Sequence, residues 1–237
     1  MDIILVPGFW LDAGSWSAVT PTLEAAGHRV HPLTLPGLES ADAPRAGIRL
    51  RDHVDAVVAA VDAVGDPVIL VGHSGGGAMI HAAADARPDR VLRNVYVDCV
   101  PVGEGGVIND ELPAVGDDLP LPGWQEFDDA DLIDLDDDLR AAFRAQAIPE
   151  PVSVARDRQH LRDERRFDVP ATVIACEIPA RQIIEWVRAG HPYAAELGRI
   201  HDVEYIDLPT GHWPQFTKPV ELGAAILTAV GAQPTTK

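Results

Sequence analysis

"VILVGHSGGGAMIHAAA", residues 68–84, joins an apolar run to a serine among glycines and then to a stretch of helix formers. Val68, Ile69, Leu70 and Val71 make a short continuous apolar run, which suits a strand buried on both faces. Residues 78–84 are rich in residues with high helix propensity. A strand, a turn and a helix in this order can cradle a phosphate or raise a nucleophile, so the turn residues decide. A P-loop needs a lysine and then Ser or Thr after its glycines, whereas Gly77 is followed by Ala78 and Met79. Gly72, Gly75, Gly76 and Gly77 do not give the spacing of a dinucleotide fingerprint. Gly72-His73-Ser74-Gly75-Gly76 does fit Gly-x-Ser-x-Gly, in which the serine stands on a strained turn at a strand end. Small residues are needed on either side because a Cβ would collide with the adjoining strand and helix. The bland alternative is an ordinary glycine-rich strand-to-helix turn.

Outward from this stretch, short apolar runs alternate with longer helical patterns, the signature of a parallel sheet covered on both faces. Strands are expected at 2–6, 29–35, 67–72, 92–98, 171–176 and 203–208. Helices are expected at 15–26, 50–63, 75–86, 180–197 and 217–230, with Ser15 and Thr217 as N-caps. Residues 102–168 break the rhythm, with several prolines, no central strand and the acidic run "EFDDADLIDLDDD". That run lacks the glycine and alternating carboxylates of a calcium loop and reads as a solvated helix face. The segment is therefore expected to be a lid inserted over the carboxyl ends of the strands, where open α/β sheets place their sites. Trp124, Phe127 and Phe143 could form its apolar underside or simply pack it onto the core.

With 237 residues, 46% of them hydrophobic, the chain can build one domain, 1–237, carrying that lid. Its formal charge of −18 argues against nucleic acid or an anionic membrane as partner, and favours a neutral small-molecule substrate. No signal peptide or long apolar span is readable, so a cytoplasmic protein is expected. The cysteines, Cys99 and Cys176, are expected to be free thiols, without metal-ligand spacing. Neither a metal nor an organic cofactor is implied, and the oligomeric state is left open between monomer and homodimer.

A serine hydroxyl is hardly ionised at neutral pH and needs a base. Of nine histidines, His212 stands out. It lies in "IDLPTGHWPQF", on a turn-rich loop after the last expected strand and late in the chain. Backbone N–H groups must hold the developing oxyanion. Gly75, just after the serine, and Phe9, after the Pro7-Gly8 turn that follows the first strand, are the candidates. Trp10, Trp124 and Trp213 are expected to contact substrate.

Elbow, first loop and histidine loop together resemble an α/β-hydrolase. The likeness is to the small cofactor-free esterases and lyases related to plant methyl esterases and hydroxynitrile lyases, and it covers nearly the whole chain. "ILVPGFWLDAGSW", "LVGHSGGG" and "PTGHWPQFTKP" carry it. It implies an α/β fold with a mostly parallel sheet, and hydrolysis of a neutral, apolar ester or lactone through an acyl-enzyme on Ser74. Two rivals come with it: a lyase on the same scaffold, which in that family uses an extra lysine, and a non-catalytic small-molecule-binding protein. Only Lys218 and Lys237 are available here. Two positions depart from the family pattern. Pro7 replaces the usual histidine, and Pro179 stands where the triad aspartate is expected. Asp98, ending "LRNVYVD", is favoured as the acid, as in certain haloalkane dehalogenases, with Glu177 as the alternative.

Overall fold

A computed structural model describes residues 1–231. Its elements in chain order are β1 (Asp2–Val6), α1 (Thr20–Ala25), β2 (Arg29–Pro32), α2 (Leu50–Val64), β3 (Val68–His73), α3 (Gly76–Ala86) and β4 (Val91–Val97). They continue with β5 (Asp118–Leu119), α4 (Asp137–Gln146), β6 (Glu150–Pro151), α5 (Val152–Arg156), β7 (Ala171–Ala175), α6 (Ala180–Ala189), β8 (Val203–Asp207), α7 (Pro214–Thr217) and α8 (Pro219–Gly231). Six strands form one parallel sheet in the order β2-β1-β3-β4-β7-β8. Among the described residues no helix is long and apolar enough to cross a membrane.

Strand alternation divides the core between the two faces of the sheet. Ile4, Val6, Val68 and Leu70 face one side with Val54, Val57 and Val61 of α2 and Met79 and Ile80 of α3. Ile3, Leu5, Ile69 and Val71 face the other, against Trp16, Leu23 and, from α8, Leu222 and Ile226. Because both faces are covered, β1 and β3 are apolar over 3–6 and 68–71 rather than alternating, while β4 carries the buried polar pair Arg93 and Asn94.

The chain runs from β1 outward to β2 and then returns to place β3 on the other side of β1. This reversal opens a crevice at the carboxyl ends of β1 and β3, the usual position of a site in an open α/β sheet. Between β4 and β7 the chain leaves the sheet. It forms a cap whose stem is the small antiparallel pair β5 and β6 and whose outer part includes α4.

Several boundaries differ from those expected. The helix expected at 15–26 is a 3-10 turn at Ala13–Trp16 followed by the short α1, and the cap of that turn is Asp12, whose carboxylate accepts from the Gly14 N–H. Ser15 lies inside the turn. Thr217 ends α7 rather than capping a helix, because Pro214 begins that helix three residues earlier. β2 stops at Pro32, which has no N–H for a ladder. α6 ends at Ala189, eight residues before the expected limit, because Gly190 closes the helix with a left-handed φ of 66°.

Candidate active site

The elbow forms because two glycines let the backbone pass within contact distance. A Cβ on Gly72 would lie 2.6 Å from the Gly76 carbonyl oxygen, and one on Gly76 would lie 2.7 Å from that of Val6. Ser74 sits between them with φ of 51°, a left-handed conformation costly for a residue with a side chain. Its N–H donates to Val97 O at 3.1 Å, which ties the elbow to the end of β4.

The side chains at the sheet edge converge on this serine. Ser74 Oγ lies 2.8 Å from His212 Nε2, and His212 Nδ1 lies 2.7 Å from Asp98 Oδ2. A hydroxyl donating to Nε2 requires the proton on Nδ1, which then donates to the carboxylate. The other Asp98 oxygen, Oδ1, accepts from the N–H groups of Cys176 at 3.0 Å and Glu177 at 3.1 Å. The carboxylate is thus fixed by backbone on one side and aims its free oxygen at the imidazole. Glu177, the alternative acid, approaches Nδ1 only to 3.7 Å. Burial first, then contact with Asp131 and the charge of Asp98, push its pKa up to about 8, so it holds a proton at neutral pH.

Burial alone would push the His212 pKa down, but the hydrogen bond to Asp98 and the charges of Asp98 and Asp131 outweigh it, and the net shift is upward. The histidine loop is held from two sides. The Gly211 and His212 N–H groups donate to Ile133 O at 3.0 Å and Asp131 O at 2.8 Å in the cap. From beneath, His73 Nε2 donates to the His212 carbonyl at 2.7 Å. His73 is fully buried, and desolvation lowers its pKa to about 3, so it acts as a neutral donor. Neither contact is visible in the sequence, because each joins segments far apart in the chain. His73 carries at least a hint, being the variable position of the elbow motif.

Gly75 is the N-cap of α3, in which the Gly77 and Ala78 N–H groups donate to Ser74 O at 2.9 Å and Gly75 O at 3.1 Å. The Phe9 ring lies against Gly75, since a Cβ there would be 2.7 Å from Phe9 Cε1. A Cβ on Gly8 would lie 2.9 Å from Ser74 Cβ, so the loop that carries Phe9 passes beside the serine.

Above these groups opens a cavity of ≈ 610 Å³, lined by Phe9, Trp10, Ser74, Gly75, Asp98 and His212 and, from the cap, by Ile108, Leu112 and Phe127. Trp10 is on this wall, as expected. Trp124 and Trp213, also expected to contact substrate, are not among the residues that line it. Both rings pack in an aromatic cluster behind the wall: Trp213 lies 6.0 Å from Trp124, 5.3 Å from Phe127 and 5.2 Å from Phe143. Each such pair adds about 0.5–1.5 kcal/mol beyond its buried area, so the cluster fastens cap to core beside the His212 loop. Phe127 is the aromatic of the cap that reaches the cavity. The cavity wall includes the carboxylates of Glu111, Glu126, Asp128 and Asp131 but no Lys or Arg among the described residues.

Asp98, Glu177 and His212 also form the one group among the described residues whose donor atoms, within 4.8 Å of one another, are close enough to hold a metal ion. Nδ1 of His212 and both oxygens of Asp98 are already engaged in the hydrogen bonds just described, so this donor set fits a proton relay better than a cation. Cys99 and Cys176 are free thiols, and burial raises the pKa of both.

Comparison with known proteins gives consistent relatives. The model of the alpha/beta hydrolase family matches residues 3–225. The chain is 29% identical over 242 residues to a pyrethroid hydrolase of Sphingobium wenxiniae, covering 95% of this chain and 86% of the relative. It is 30% identical over 209 residues to the lipase LipV of Mycobacterium tuberculosis, covering 76% and 75%. Among solved structures, an extracellular alpha/beta-hydrolase from a Paenibacillus species superposes with a TM-score of 0.77 at 21% identity, over 97% of this chain and 98% of that one.

Proposed function

Because the chain belongs to the alpha/beta hydrolase family, we propose that it is a carboxylic ester hydrolase that attacks with Ser74 and passes through an acyl-enzyme. The observation that carries this reading is the continuous relay from Ser74 Oγ through His212 to Asp98, open to a capped cavity. His212 takes the hydroxyl proton as Ser74 attacks the carbonyl carbon, and the N–H groups of Phe9 and Gly75 hold the oxyanion. The imidazolium formed is stabilised by Asp98. It then protonates the leaving alcohol, and a water activated by the same histidine releases the acid.

The substrate class follows from the walls. Trp10, Ile108, Leu112 and Phe127 offer apolar surface, while the acidic groups disfavour an anion. A neutral ester or lactone with an apolar acyl or alcohol part fits best. The lyase alternative has no support in the geometry, since Lys218 donates to Pro209 O at 2.6 Å and pairs with Asp134 at 3.3 Å, away from the cavity wall.

The test is labelling by a fluorophosphonate together with turnover of p-nitrophenyl butyrate. Ser74→Ala should abolish labelling and lower kcat about a thousandfold or more, with the fold intact. A variant retaining over about a tenth of wild-type turnover would exclude Ser74 as nucleophile.

A further inference from the structure

The backbone N–H groups that hold His212 in place are taken up by the cap, not by the sheet. Gly211 donates to Ile133 O at 3.0 Å and His212 to Asp131 O at 2.8 Å. A tight coil over residues 128–135 presents these acceptors. In it the N–H groups of Asp131, Leu132 and Leu135 donate to the carbonyl three residues earlier, at 3.1, 3.3 and 3.1 Å. The Asp128 N–H donates to Asp131 Oδ2 at 2.9 Å, and Asp134 turns the chain with a left-handed φ of 63°.

Gly211 is what lets loop and coil meet. A Cβ there would lie 2.6 Å from Ile133 O and closer still to Asp131 O, and its three nearest neighbours would all be backbone atoms of the cap. Backbone cannot step aside as the end of a flexible side chain can. The φ of Gly211 is not left-handed, so the glycine serves the close approach rather than a turn.

Lys218 makes a second tie between the same segments. Its Nζ donates to Pro209 O at 2.6 Å, where the histidine loop begins, and pairs with Asp134 Oδ2 at 3.3 Å, where the coil turns. Neither Gly211 nor Lys218 lines the cavity. Both act through the loop and not on the substrate.

We propose that Gly211 and Lys218 are positioning residues that couple the docking of the cap to the placement of the base: His212 meets Ser74 and Asp98 together only while the 128–135 coil clamps its loop. This rests on the serine-hydrolase reading. The imidazole must keep Ser74 Oγ at 2.8 Å and Asp98 Oδ2 at 2.7 Å on opposite edges of one ring. A shift of the loop therefore lengthens one bond or the other, and a misplacement of about 1 Å costs on the order of a hundredfold in rate.

The experiment compares Gly211→Ala, Lys218→Met and wild type on p-nitrophenyl butyrate. Gly211→Ala should lower kcat about ten- to a hundredfold and Lys218→Met about three- to tenfold, with KM changed less than kcat. The titratable groups facing His212 are Asp98 from β4, Glu177 from the loop after β7, Asp131 from the cap and neutral His73 from beneath. A displaced loop loosens the hold of Asp98 and Asp131, so the midpoint of kcat/KM against pH should fall toward the ordinary histidine value of about 6.5. The proton resonance of the His212 Nδ1–H, far downfield while it is donated to a carboxylate, should move upfield or broaden in both variants, and it needs no turnover. A lower kcat with the wild-type midpoint and resonance would overturn the proposal, because it would report only a smaller folded fraction. Raised KM with intact kcat would also overturn it, since the contact would then merely shape the cavity. If Gly211→Ala does not fold, Lys218→Met decides by the same readouts. A wild type without turnover would refute the hydrolase reading, while the resonance comparison would still test the clamp.

Discussion

Replacing Asp98 by Asn tests the relay most directly, because the hydrogen bonds around that side chain dictate how the amide must sit. Asp98 Oδ1 accepts from two backbone N–H groups, those of Cys176 and Glu177, and Oδ2 accepts from His212 Nδ1. An asparagine has one oxygen and one NH2 group. Turning the NH2 toward the two N–H donors would set donors against donors and lose two hydrogen bonds, so the oxygen takes that position. The NH2 then faces His212 and demands a lone pair on Nδ1, which moves the imidazole proton to Nε2. A protonated Nε2 cannot accept from Ser74. The expected loss in kcat is about ten-thousandfold, equivalent to about 5.4 kcal/mol, as for a triad locked in the wrong tautomer. Glu177→Gln is the matched control. With its oxygen 3.7 Å from Nδ1, Glu177 makes no hydrogen bond to the imidazole, and its loss should cost less than about tenfold. The assay is steady-state turnover of p-nitrophenyl butyrate, with near-ultraviolet circular dichroism to show that each variant keeps its packing. An active Asp98→Asn beside an inactive Glu177→Gln would refute the assignment. Two active variants would mean that His212 is oriented without either carboxylate.

Two further outcomes follow from the same geometry. Protonated His212 cannot accept the serine proton, so kcat/KM should rise with pH; because the His212 pKa is shifted upward, the midpoint should lie above the ordinary histidine value of about 6.5, and a midpoint at or below it would show that Asp98 does not control the base. A neutral ester should outperform a matched anionic one at low salt because acidic groups line the cavity, with the gap narrowing at high salt; an anionic preference at low salt would exclude this account.

The meeting of Ser74 and His212 could be anticipated from the sequence because local rules constrain both positions. An elbow tolerates only small neighbours, and a turn-rich loop after the last strand has few places to go. The parallel sheet was legible for a similar reason: strands buried on both faces become continuous apolar runs, and those runs survive in the sequence whatever packs on them. Element ends were less legible, since Asp12 by its carboxylate, Pro32 by its missing N–H and Gly190 by its left-handed φ decide them against equally good local patterns. Trp124 and Trp213 show a different limit. Their size favours burial, and Trp213 is buried while Trp124 is half-buried, but only the docking of cap on core decides whether a ring faces the cavity or the cluster behind it.

The acid combines both cases. By the resemblance, the loop after β7 should supply a carboxylate to the histidine, yet Pro179 occupies that position. The structure shows what the loop offers in its place: the N–H groups of Cys176 and Glu177, both donated to Asp98. Asp98 stands at the end of β4, directly beside β7 in the sheet, with φ of 49° and its own N–H donated to Ile174 O at 2.9 Å. A carboxylate at this strand end can bind backbone N–H groups or orient the histidine. A carboxylate has two oxygens, and here each takes one of those uses. The backbone bonds hold the plane in which the second oxygen meets Nδ1. A loop that has lost its acid can therefore still contribute to the relay by fixing the acid of the neighbouring strand.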